Sequence, residues 1–459
     1  MRNKSCQRRQ APAELTLKTK LVCLYANISP RYSPVSALRA RWARGLACGV
    51  RKQREGGQLS RESKRVGAAK EAMILTKCAQ CAAPLEHNAP RCGVCKLRYC
   101  GRECQKRHWK VHKPFCPEIK RGGGAEQYNA DKKYKEFVAV AVEKCAADTK
   151  GQTCYICTEA VHWKTKEGLV RGCACRGTSG CAHVSCLEEQ AKILVAEAED
   201  NHLGNDAFDT RWGRWHHCGL CEQRYHGVVA CALSWACWKT YVGRPEADDT
   251  RTMAMGQLGN GLSSAELFAD AMHVRETELA MLERQGKDNT PCFLNTQCNL
   301  ANTYQKLGRY AECLKMQRLN FALSLRVYGR EEEETLAAVI NLVAVLLDWD
   351  GSGPGRFDEV KSLLSQSLPV ARRVLGESHR ITLISRLSYE EARYLDPSAT
   401  LNDHRGAVVA LEEVVRDARR VLGAAHPHVE QMERSLNSAR RALHVREALH
   451  ARRGAPQGS

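Results

Sequence analysis

Residues 154–186 read CYICTEAVHWKTKEGLVRGCACRGTSGCAHVSC, and a further CGLC follows at residues 218–221. Eight of these residues are spaced as metal ligands, in four pairs: Cys154 and Cys157, Cys173 and Cys175, His183 and Cys186, and Cys218 and Cys221. Cysteines separated by one or two residues lie on one tight turn, where both sulfurs reach the same tetrahedral zinc ion at about 2.3 Å. Eight ligands therefore predict two zinc ions in this stretch.

The cysteine content favours zinc sites over disulfide bonds. The chain has 24 cysteines in 459 residues, and its N-terminus shows no clear pattern of basic start, apolar run and small-residue cleavage site. Clustered cysteine pairs with histidines are typical of zinc sites in a reducing compartment. We therefore expect a cytoplasmic or nuclear protein, with organelle targeting by residues 1–70 left open. No run of about 18 apolar residues occurs, so a membrane span is not expected.

The net charge of +19 is concentrated at the N-terminus. Residues 1–70 contain seventeen Lys and Arg but only three acidic residues, which leaves a net charge of +5 for the rest of the chain. Zinc-bound thiolates lower that remainder further, so a basic face for nucleic acid is not expected there. Composition predicts that residues 1–72 are disordered. A transit-peptide-like segment or a nucleic-acid-binding tail are the alternatives.

Residues 78–116 carry a second set of eight ligand-type residues. A segment of this length cannot bury enough apolar surface to fold alone. The metal must therefore supply the folding free energy, on the order of 10 kcal/mol per site. The motif YCGRECQ at residues 99–105, with Trp109 and the spacing from His112 to Cys116, resembles the MYND zinc finger over its whole length. The resemblance implies two zinc ions, one held by Cys78, Cys81, Cys100 and Cys104, the other by Cys92, Cys95, His112 and Cys116.

MYND fingers are protein-interaction modules, often for short proline-containing peptides, so the resemblance implies a partner peptide rather than a reaction. No SET-like sequence is evident in the chain, which disfavours a methyltransferase. By the same resemblance His108 is not a ligand, because His112 has the matching place. Trp109 is expected to pack over the zinc module rather than to contact a partner.

The stretch 154–221 resembles the RING-CH finger, also called RINGv, in its ligand order, in Arg176-Gly177-Thr178 after Cys175, and in the sequence from His183 to Leu187. The resemblance implies one zinc on Cys154, Cys157, His183 and Cys186 and another on Cys173, Cys175, Cys218 and Cys221. Four zinc ions are then expected per chain. A plant-homeodomain finger uses similar ligand types, but the seven-residue gap before His183 fits RING-CH better. Cys181 is left without a ligand role.

RING-type ubiquitin ligases have no nucleophile of their own, and act by holding a charged ubiquitin-conjugating enzyme in a reactive conformation. Their contact surface uses apolar residues inside the first knuckle and near the last, which are Ile156 and Leu220 in this sequence. The chain departs from the active pattern at Gly219, where proline is common, and at Glu222, where a basic residue is common. Residues 201–210 are expected to be an inserted polar loop. The resemblance implies an E3 ubiquitin ligase, with a non-enzymatic adaptor or scaffold, in transcription or elsewhere, as the alternative.

From about residue 250 the sequence becomes repetitive. Tyr328-Gly329, Leu375-Gly376 and Leu422-Gly423 recur at a spacing of 47 residues, which indicates an array of similar units. Apolar or small residues fall at helical spacing on either side of Gly308. The pattern resembles tetratricopeptide repeats of the kinesin-light-chain type, which implies a concave groove for an extended peptide or a helix. Asn299 and Asn341 are the candidate groove residues for contacting peptide backbone.

These patterns predict a multidomain protein with two small zinc-stabilised cross-brace modules, followed by an all-α helical-repeat solenoid. The predicted segments are a basic region at 1–72, a MYND-type finger at 73–118, a linker with one possible helix at 119–150, a RING-CH-type finger with a supporting helix at 151–245, tetratricopeptide-like repeats at 246–450 and a tail at 451–459. Proteins are the expected partners: a ubiquitin-conjugating enzyme, short peptide motifs and substrates. Nucleic acid is not expected as a partner, and no membrane span is expected.

Overall fold

A computed structural model describes residues 77–454, apart from residues 84, 86, 87, 354 and 425. The predicted disordered segment at 1–72 and residues 455–459 of the predicted tail lie outside the described residues. In the part of the chain that is described, the regular elements are helices, and isolated β-bridges pair Arg91 with Arg98, Val170 with Ala182 and His217 with Arg224. None of the helices in these ranges is both long and apolar enough to cross a bilayer.

The first finger contains two short helices, α1 (Arg102–His112) and α2 (Cys116–Arg121). Its hydrophobic core is small and consists largely of buried ligand cysteines, with only three residues of other types. The members of this core are Cys78, Cys92, Cys95, Tyr99, Cys116, Ile119 and Ala125. This is the arrangement expected for a segment too short to fold on apolar burial alone. Clustered cysteines of the metal-ligand type therefore take the place of a larger hydrophobic core.

Helix α3 (Ala125–Cys145) occupies most of the segment predicted to be a linker with one possible helix. The backbone N–H of Ala125 donates to the carbonyl of Cys95 at 2.8 Å, so α3 begins directly on the first finger. Farther along, Tyr134, Phe137 and Val138 are buried in the core of the second finger. A 21-residue helix therefore joins the two fingers, and its apolar face is packed rather than solvated.

The second finger contains α4 (Val184–Asp200), α5 (Asn205–Trp212) and α6 (Gly227–Tyr241). The expectation of a polar loop at residues 201–210 is wrong over most of its length, because α5 begins at Asn205. Trp212 is buried and stacks on Phe208 with 6.2 Å between the ring centroids. Two aromatic side chains anchor this helix, although the surrounding sequence is polar. Helix α6 is buried on nearly all sides, with eleven of its fifteen residues buried.

The rest of the described chain is a stack of antiparallel helices. Their bounds are α7 (Asp249–Ser264), α8 (Phe268–Arg284), α9 (Pro291–Lys306), α10 (Tyr310–Val327), α11 (Glu333–Asp348), α12 (Arg356–Leu375), α13 (Arg380–Leu395), α14 (Leu401–Leu422) and α15 (Pro427–Gly454). Each helix packs against the next in the chain. One hydrophobic core runs through this array from Met272 to Ala439. The result is an all-helical solenoid of the tetratricopeptide type, as predicted.

The glycines that recur every 47 residues end the second helix of successive pairs. Gly329, Gly376 and Gly423 have φ angles of 91°, 90° and 83°, which lie in the left-handed region that favours glycine. His379 lies three residues after Gly376, and His426 three residues after Gly423, and each caps the helix that follows. His379 Nδ1 accepts a hydrogen bond from the N–H of Ile381, and His426 Nδ1 accepts one from the N–H of His428. The repeated Leu-Gly motif is therefore a helix stop followed by a helix start.

Candidate zinc centres

Two groups of Cys and His side chains form in the first finger. Group A consists of Cys78, Cys81, Cys100 and Cys104, and group B of Cys92, Cys95, His112 and Cys116; the four ligand atoms of each lie within 4.8 Å of one another. In group A, Cys81 Sγ lies 3.5 Å from Cys100 Sγ. In group B, Cys95 Sγ lies 3.3 Å from Nε2 of His112. The structure thus brings together all eight predicted ligands of this finger, in the predicted pairing.

Tight turns and one helix explain these positions. The carbonyl of Cys78 accepts the N–H of Ala82 at 2.9 Å, and the carbonyl of Cys92 accepts the N–H of Lys96 at 3.0 Å. Ala82 and Lys96 both have positive φ, which lets the chain reverse within each knuckle. Helix α1 carries Cys104 of group A near its start and His112 of group B at its end. One rigid helix therefore braces the two groups.

Two further groups form in the second finger. Group C consists of Cys154, Cys157, His183 and Cys186, and group D of Cys173, Cys175, Cys218 and Cys221, again with each set of ligand atoms within 4.8 Å. Nδ1 of His183 lies 3.4 Å from Cys157 Sγ and 3.6 Å from Cys186 Sγ. Because the two groups alternate along the chain, the segment is cross-braced. This is the pairing predicted from the sequence.

The distances between sulfurs fit a shared metal ion. They are 3.4 Å for Cys100 and Cys104, 3.7 Å for Cys92 and Cys116, and 3.8 Å for Cys175 and Cys218. A zinc tetrahedron with Zn–S of about 2.3 Å has an edge of about 3.8 Å, whereas bonded disulfide sulfurs lie about 2.05 Å apart. Sets of Cys₄ and Cys₃His donors are those that structural zinc prefers. The four groups therefore suggest zinc binding.

The electrostatics of the groups favour a bound cation. Burial lowers the pKa of His112 and of His183, so both imidazoles are neutral near pH 7 and able to donate a lone pair. Burial also raises the pKa of Cys173 and of Cys186, and neighbouring thiols of the same groups raise it further. A cation beside these two thiols would offset the lost hydration and the repulsion from the other sulfurs, and would so favour their thiolates.

Some side chains near the groups have no ligand role. Cys181 is fully buried but belongs to none of the four groups, and its carbonyl accepts the N–H of Tyr155 at 3.0 Å. His108 Nδ1 lies 3.1 Å from the hydroxyl of buried Tyr99, so it fixes the finger internally. Trp109 is 43% exposed, and its ring lies 6.0 Å from that of His112. It therefore lies beside group B with almost half of its surface free.

The predicted contact residues for a conjugating enzyme are both solvent-accessible. Ile156 is 37% and Leu220 is 52% exposed, each inside its knuckle, where its N–H points at a ligand sulfur 3.4 Å away. A Cβ added at Gly219 would lie 3.9 Å from the hydroxyl of Tyr155 and 3.9 Å from Oε1 of Gln190 on α4. Tyr155 precedes Ile156, and Gly219 precedes Leu220. The two knuckles therefore lie close together beside α4.

Sequence reasoning missed Ile193 on that helix. It lies three residues after Gln190, on the same side of α4, and is 56% exposed. A signal was present in the sequence, because Ile193 breaks the polar face that an amphipathic helix turns to water. Only the fold brings that face beside the two knuckles.

The predicted groove residues lie on the first helices of neighbouring pairs. Both Asn299 on α9 and Asn341 on α11 are partly buried. Nδ2 of Asn341 donates to Sγ of Cys298 at 3.3 Å, so this amide also joins two helices of the array. The carbonyl of Asn299 accepts from Nη1 of Arg275 at 3.1 Å. Arg275 is a buried residue that the sequence reading did not single out.

Two family models match parts of this chain. The MYND finger model matches residues 78–116, which are the residues that hold groups A and B. A tetratricopeptide repeat model matches residues 293–332 and 399–428. The predicted MYND finger and tetratricopeptide repeats are therefore confirmed. No curated protein matches the chain.

Solved structures similar to this chain include helical repeat proteins. The nearly identical TPR-like repeats of a putative kinesin light chain from Podosopora anserina are 18% identical, with 52% of this chain and 97% of that chain covered and a TM-score of 0.35. A variant form of that protein gives the same values. BtubC (BKLC) from P. vanneervenii is 13% identical, with 60% of this chain and 94% of that chain covered and a TM-score of 0.36.

Proposed function

We propose that this chain is an E3 ubiquitin ligase of the RING-CH type, in which the second finger binds a ubiquitin-conjugating enzyme. The MYND finger and the helical array, both protein-interaction modules, would select substrates. The proposal includes four zinc ions per chain, one in each of groups A to D. The chemistry is transfer of ubiquitin from the conjugating enzyme to a lysine, and the finger contributes positioning rather than a nucleophile.

The observation that carries this proposal is the exposure of Ile156 and Leu220 on a cross-braced finger. Single exposed apolar residues are common, but two on neighbouring knuckles of one finger could act together as an apolar contact for a partner. Ile193, one turn after Gln190 on α4, is a further exposed apolar side chain of this finger. Such a small apolar surface on a rigid frame suits a transient protein contact.

A non-enzymatic adaptor is the second candidate, and two residues favour it. Gly219 leaves the last knuckle without the proline that is common in active RING domains. Glu222, directly after the last ligand of group D, has a φ of 57° and closes the knuckle by donating its N–H to the carbonyl of Cys218 at 3.0 Å. An acidic residue at this turn would not favour the binding of ubiquitin, because active RING domains commonly use a basic residue here to contact ubiquitin. In the adaptor, all three modules bind peptides and none promotes transfer.

An autoubiquitination assay with a panel of conjugating enzymes separates the two candidates. We expect chains from the wild type, and a loss of about tenfold or more in rate for Ile156→Ala and for Leu220→Ala, as for a central apolar contact. Val94→Ala is the matched control, because Val94 has the same place in a knuckle of the first finger and is 50% exposed. If the protein is folded and zinc-loaded but forms no ubiquitin chains with any conjugating enzyme, the ligase hypothesis is excluded and the adaptor hypothesis is retained.

Elemental analysis tests the zinc assignment on its own. About four zinc ions per chain are expected if each ligand group holds one. Cys81→Ser and Cys221→Ser should each remove one ion, from group A and from group D. A wild-type value near two would mean that one finger does not bind zinc, whatever the outcome of the assay for transfer.

A further inference from the structure

The helical array has an end that its own repeats do not cover. In a solenoid, each repeat buries its apolar face against the next, so the terminal repeats need a cap. The first helix of this array is α7, and its residues Ala254, Leu258 and Leu262 are all fully buried. Because α8 covers only one side of α7, another element must cover the opposite side.

Helix α6 of the second finger is that element. Its contact with α7 is so close that a Cβ added at Gly261 would overlap the Ser234 side chain and lie 2.9 Å from the carbonyl oxygen of Ala230. Gln257 donates to the hydroxyl of Ser234 at 3.2 Å, and the N–H of Gly227 donates to Oγ of Ser264 at 2.8 Å. Glycine at 261 is thus required for the helices to approach, and hydrogen bonds fix the start and the middle of α6 against α7.

The start of α6 is fixed in turn by the chain around group D. The N–H of His226, which precedes α6, donates to the carbonyl of Gly172 at 2.8 Å. Gly172 precedes the ligand Cys173, and a Cβ added to it would lie 2.5 Å from Cβ of Val229 on α6. The hairpin that carries Cys218 and Cys221 leads directly into His226. Holding the two sides of group D together therefore holds the first turn of α6.

One hydrophobic core joins these parts. It includes the ligands Cys173 and Cys218, the buried side chains of α6, and residues of α7 and α8 such as Leu258 and Met281. The first finger contributes none of its ligands to this core, since groups A and B belong to a separate small cluster. Of the two fingers, the second is therefore the one whose hydrophobic core is continuous with that of the first helix pair.

We infer that the second finger is the N-terminal cap of the helical array, and that a metal ion in group D keeps the first helix pair, α7 and α8, folded. Loss of the ion frees the Cys173 and Cys218 segments, releases the first turn of α6 and exposes the apolar face of α7. The occupancy of group D and the order of the first helix pair are coupled, and the coupling must act in both directions. This inference rests on the zinc assignment proposed above, but not on ligase activity.

Hydrogen exchange measured by mass spectrometry on the full chain tests the first direction. In Cys221→Ser, we expect peptides from 249–264 and 268–284 to exchange at least about tenfold faster than in wild type. Cys81→Ser is the matched control, because it removes a ligand of group A, outside the shared core, and should leave these peptides unchanged. Peptides from 333–422, in the separate core of the array, serve as an internal reference. If Cys221→Ser lacks one zinc and all these peptides keep wild-type protection, the inference is overturned.

Zinc release tests the opposite direction without changing any ligand. Gly261→Ala pushes α7 away from α6, and should speed release of one zinc ion to a chromophoric chelator at least about tenfold, with the other ions unaffected. Gly256→Ala on the same helix is the control, since its Cβ would meet only the terminal carboxylate of Glu278 on α8, at 3.0 Å. Unchanged release from Gly261→Ala would overturn the coupling. Failure of the zinc assignment is recognised separately, because Cys221→Ser would then keep the wild-type zinc content.

Discussion

The two fingers have the same number of ligands but differ in what surrounds them. The first has a core of seven buried residues, four of them ligand cysteines. The second shares one core with α3, α6, α7 and α8. Equal metal-binding patterns in the sequence therefore support two different kinds of folding unit. In the first finger the ligand-type cysteines themselves make up most of the core, and in the second they lie at the edge of a larger one.

The largest difference should appear when zinc is removed with a chelator. We expect residues 77–121 to exchange their amide hydrogens as an unfolded chain does, because a structural zinc ion supplies on the order of 10 kcal/mol to so small a finger. Helices α11 to α14 should stay protected, since the array core contains no ligand. Hydrogen exchange before and after chelation measures this, and added zinc should restore the protection. Persistent protection of residues 77–121 without metal would contradict the comparison.

Removing an aromatic side chain from the shared core should have the next largest effect. Trp235 on α6 is fully buried and stacks on Phe137 of α3, with 6.3 Å between the ring centroids. We expect Trp235→Ala to lower the free energy of unfolding by about 3–5 kcal/mol, through the cavity it leaves.

Trp163→Ala is the matched control for this substitution, because Trp163 belongs to the same finger but is 68% exposed. We expect Trp163→Ala to lower the free energy of unfolding by less than about 0.5 kcal/mol. Chemical denaturation followed by circular dichroism gives both values. Equal costs for the two tryptophans would show that α6 is not packed as described.

The pH dependence of the two parts should have opposite signs. Zinc ligands must be deprotonated, so acid weakens the fingers. In the array, burial raises the pKa of Glu391 to about 7, with the nearby Asp348 acting in the same direction and the Ser435 hydroxyl, 2.6 Å away, opposing it. A carboxyl whose folded pKa is raised contributes stability that is fully present below its ordinary pKa and is lost as the pH rises toward 7.

Glu391→Gln tests this sign, because glutamine keeps an acceptor for Ser435 and cannot ionise. We expect the unfolding free energy of the array to fall less steeply between pH 5 and 8 in the variant than in wild type. Some slope should remain, since burial also raises the pKa of Glu278 to about 7. Denaturation of the zinc-loaded protein across this range measures the slopes. Identical slopes would show that Glu391 is not protonated in the fold.

The smallest expected effects distinguish ion pairs in the two fingers. Glu199 on α4 accepts from both terminal nitrogens of Arg244 at 2.7 Å and from the hydroxyl of Thr250 at 3.0 Å, which joins the second finger to α7. We expect Glu199→Ala to cost about 1–2 kcal/mol, because a bidentate, partly buried pair is lost. In the first finger, Glu103 pairs with Lys106 in full solvent exposure, and Glu103→Ala should cause no measurable change. Thermal unfolding of both variants compares them.

Much of the candidate site could be predicted from the sequence, because metal coordination is local. A tetrahedral ion needs ligands in closely spaced pairs, so the spacing of Cys154 and Cys157, or of Cys218 and Cys221, already indicates which residues share a turn. The array could be predicted for a similar reason. Helix stops such as Gly329 need positive φ wherever a pair ends, so they recur with the length of the pair.

Other features could not be predicted, since they depend on residues far apart in the chain. The helix at Asn205–Trp212 forms in a polar sequence because Trp212 is buried against Tyr241, with 5.6 Å between the ring centroids. The exposure of Ile193 beside the two knuckles also depends on where α4 lies. The periodicity of each segment shows neither that Trp212 is buried against Tyr241 nor that Ile193 lies beside the two knuckles.

The sequence by itself determined which residues gather as four ligand groups, and that helix pairs follow them, since turn geometry and helical periodicity act over a few residues. Only the tertiary structure decided that the second finger belongs to the same core as the array while the first does not. That division depends on the close approach of Gly172 to Val229 and of Gly261 to Ser234. Such approaches join segments tens of residues apart, where burial of apolar surface, rather than local spacing, selects the partner.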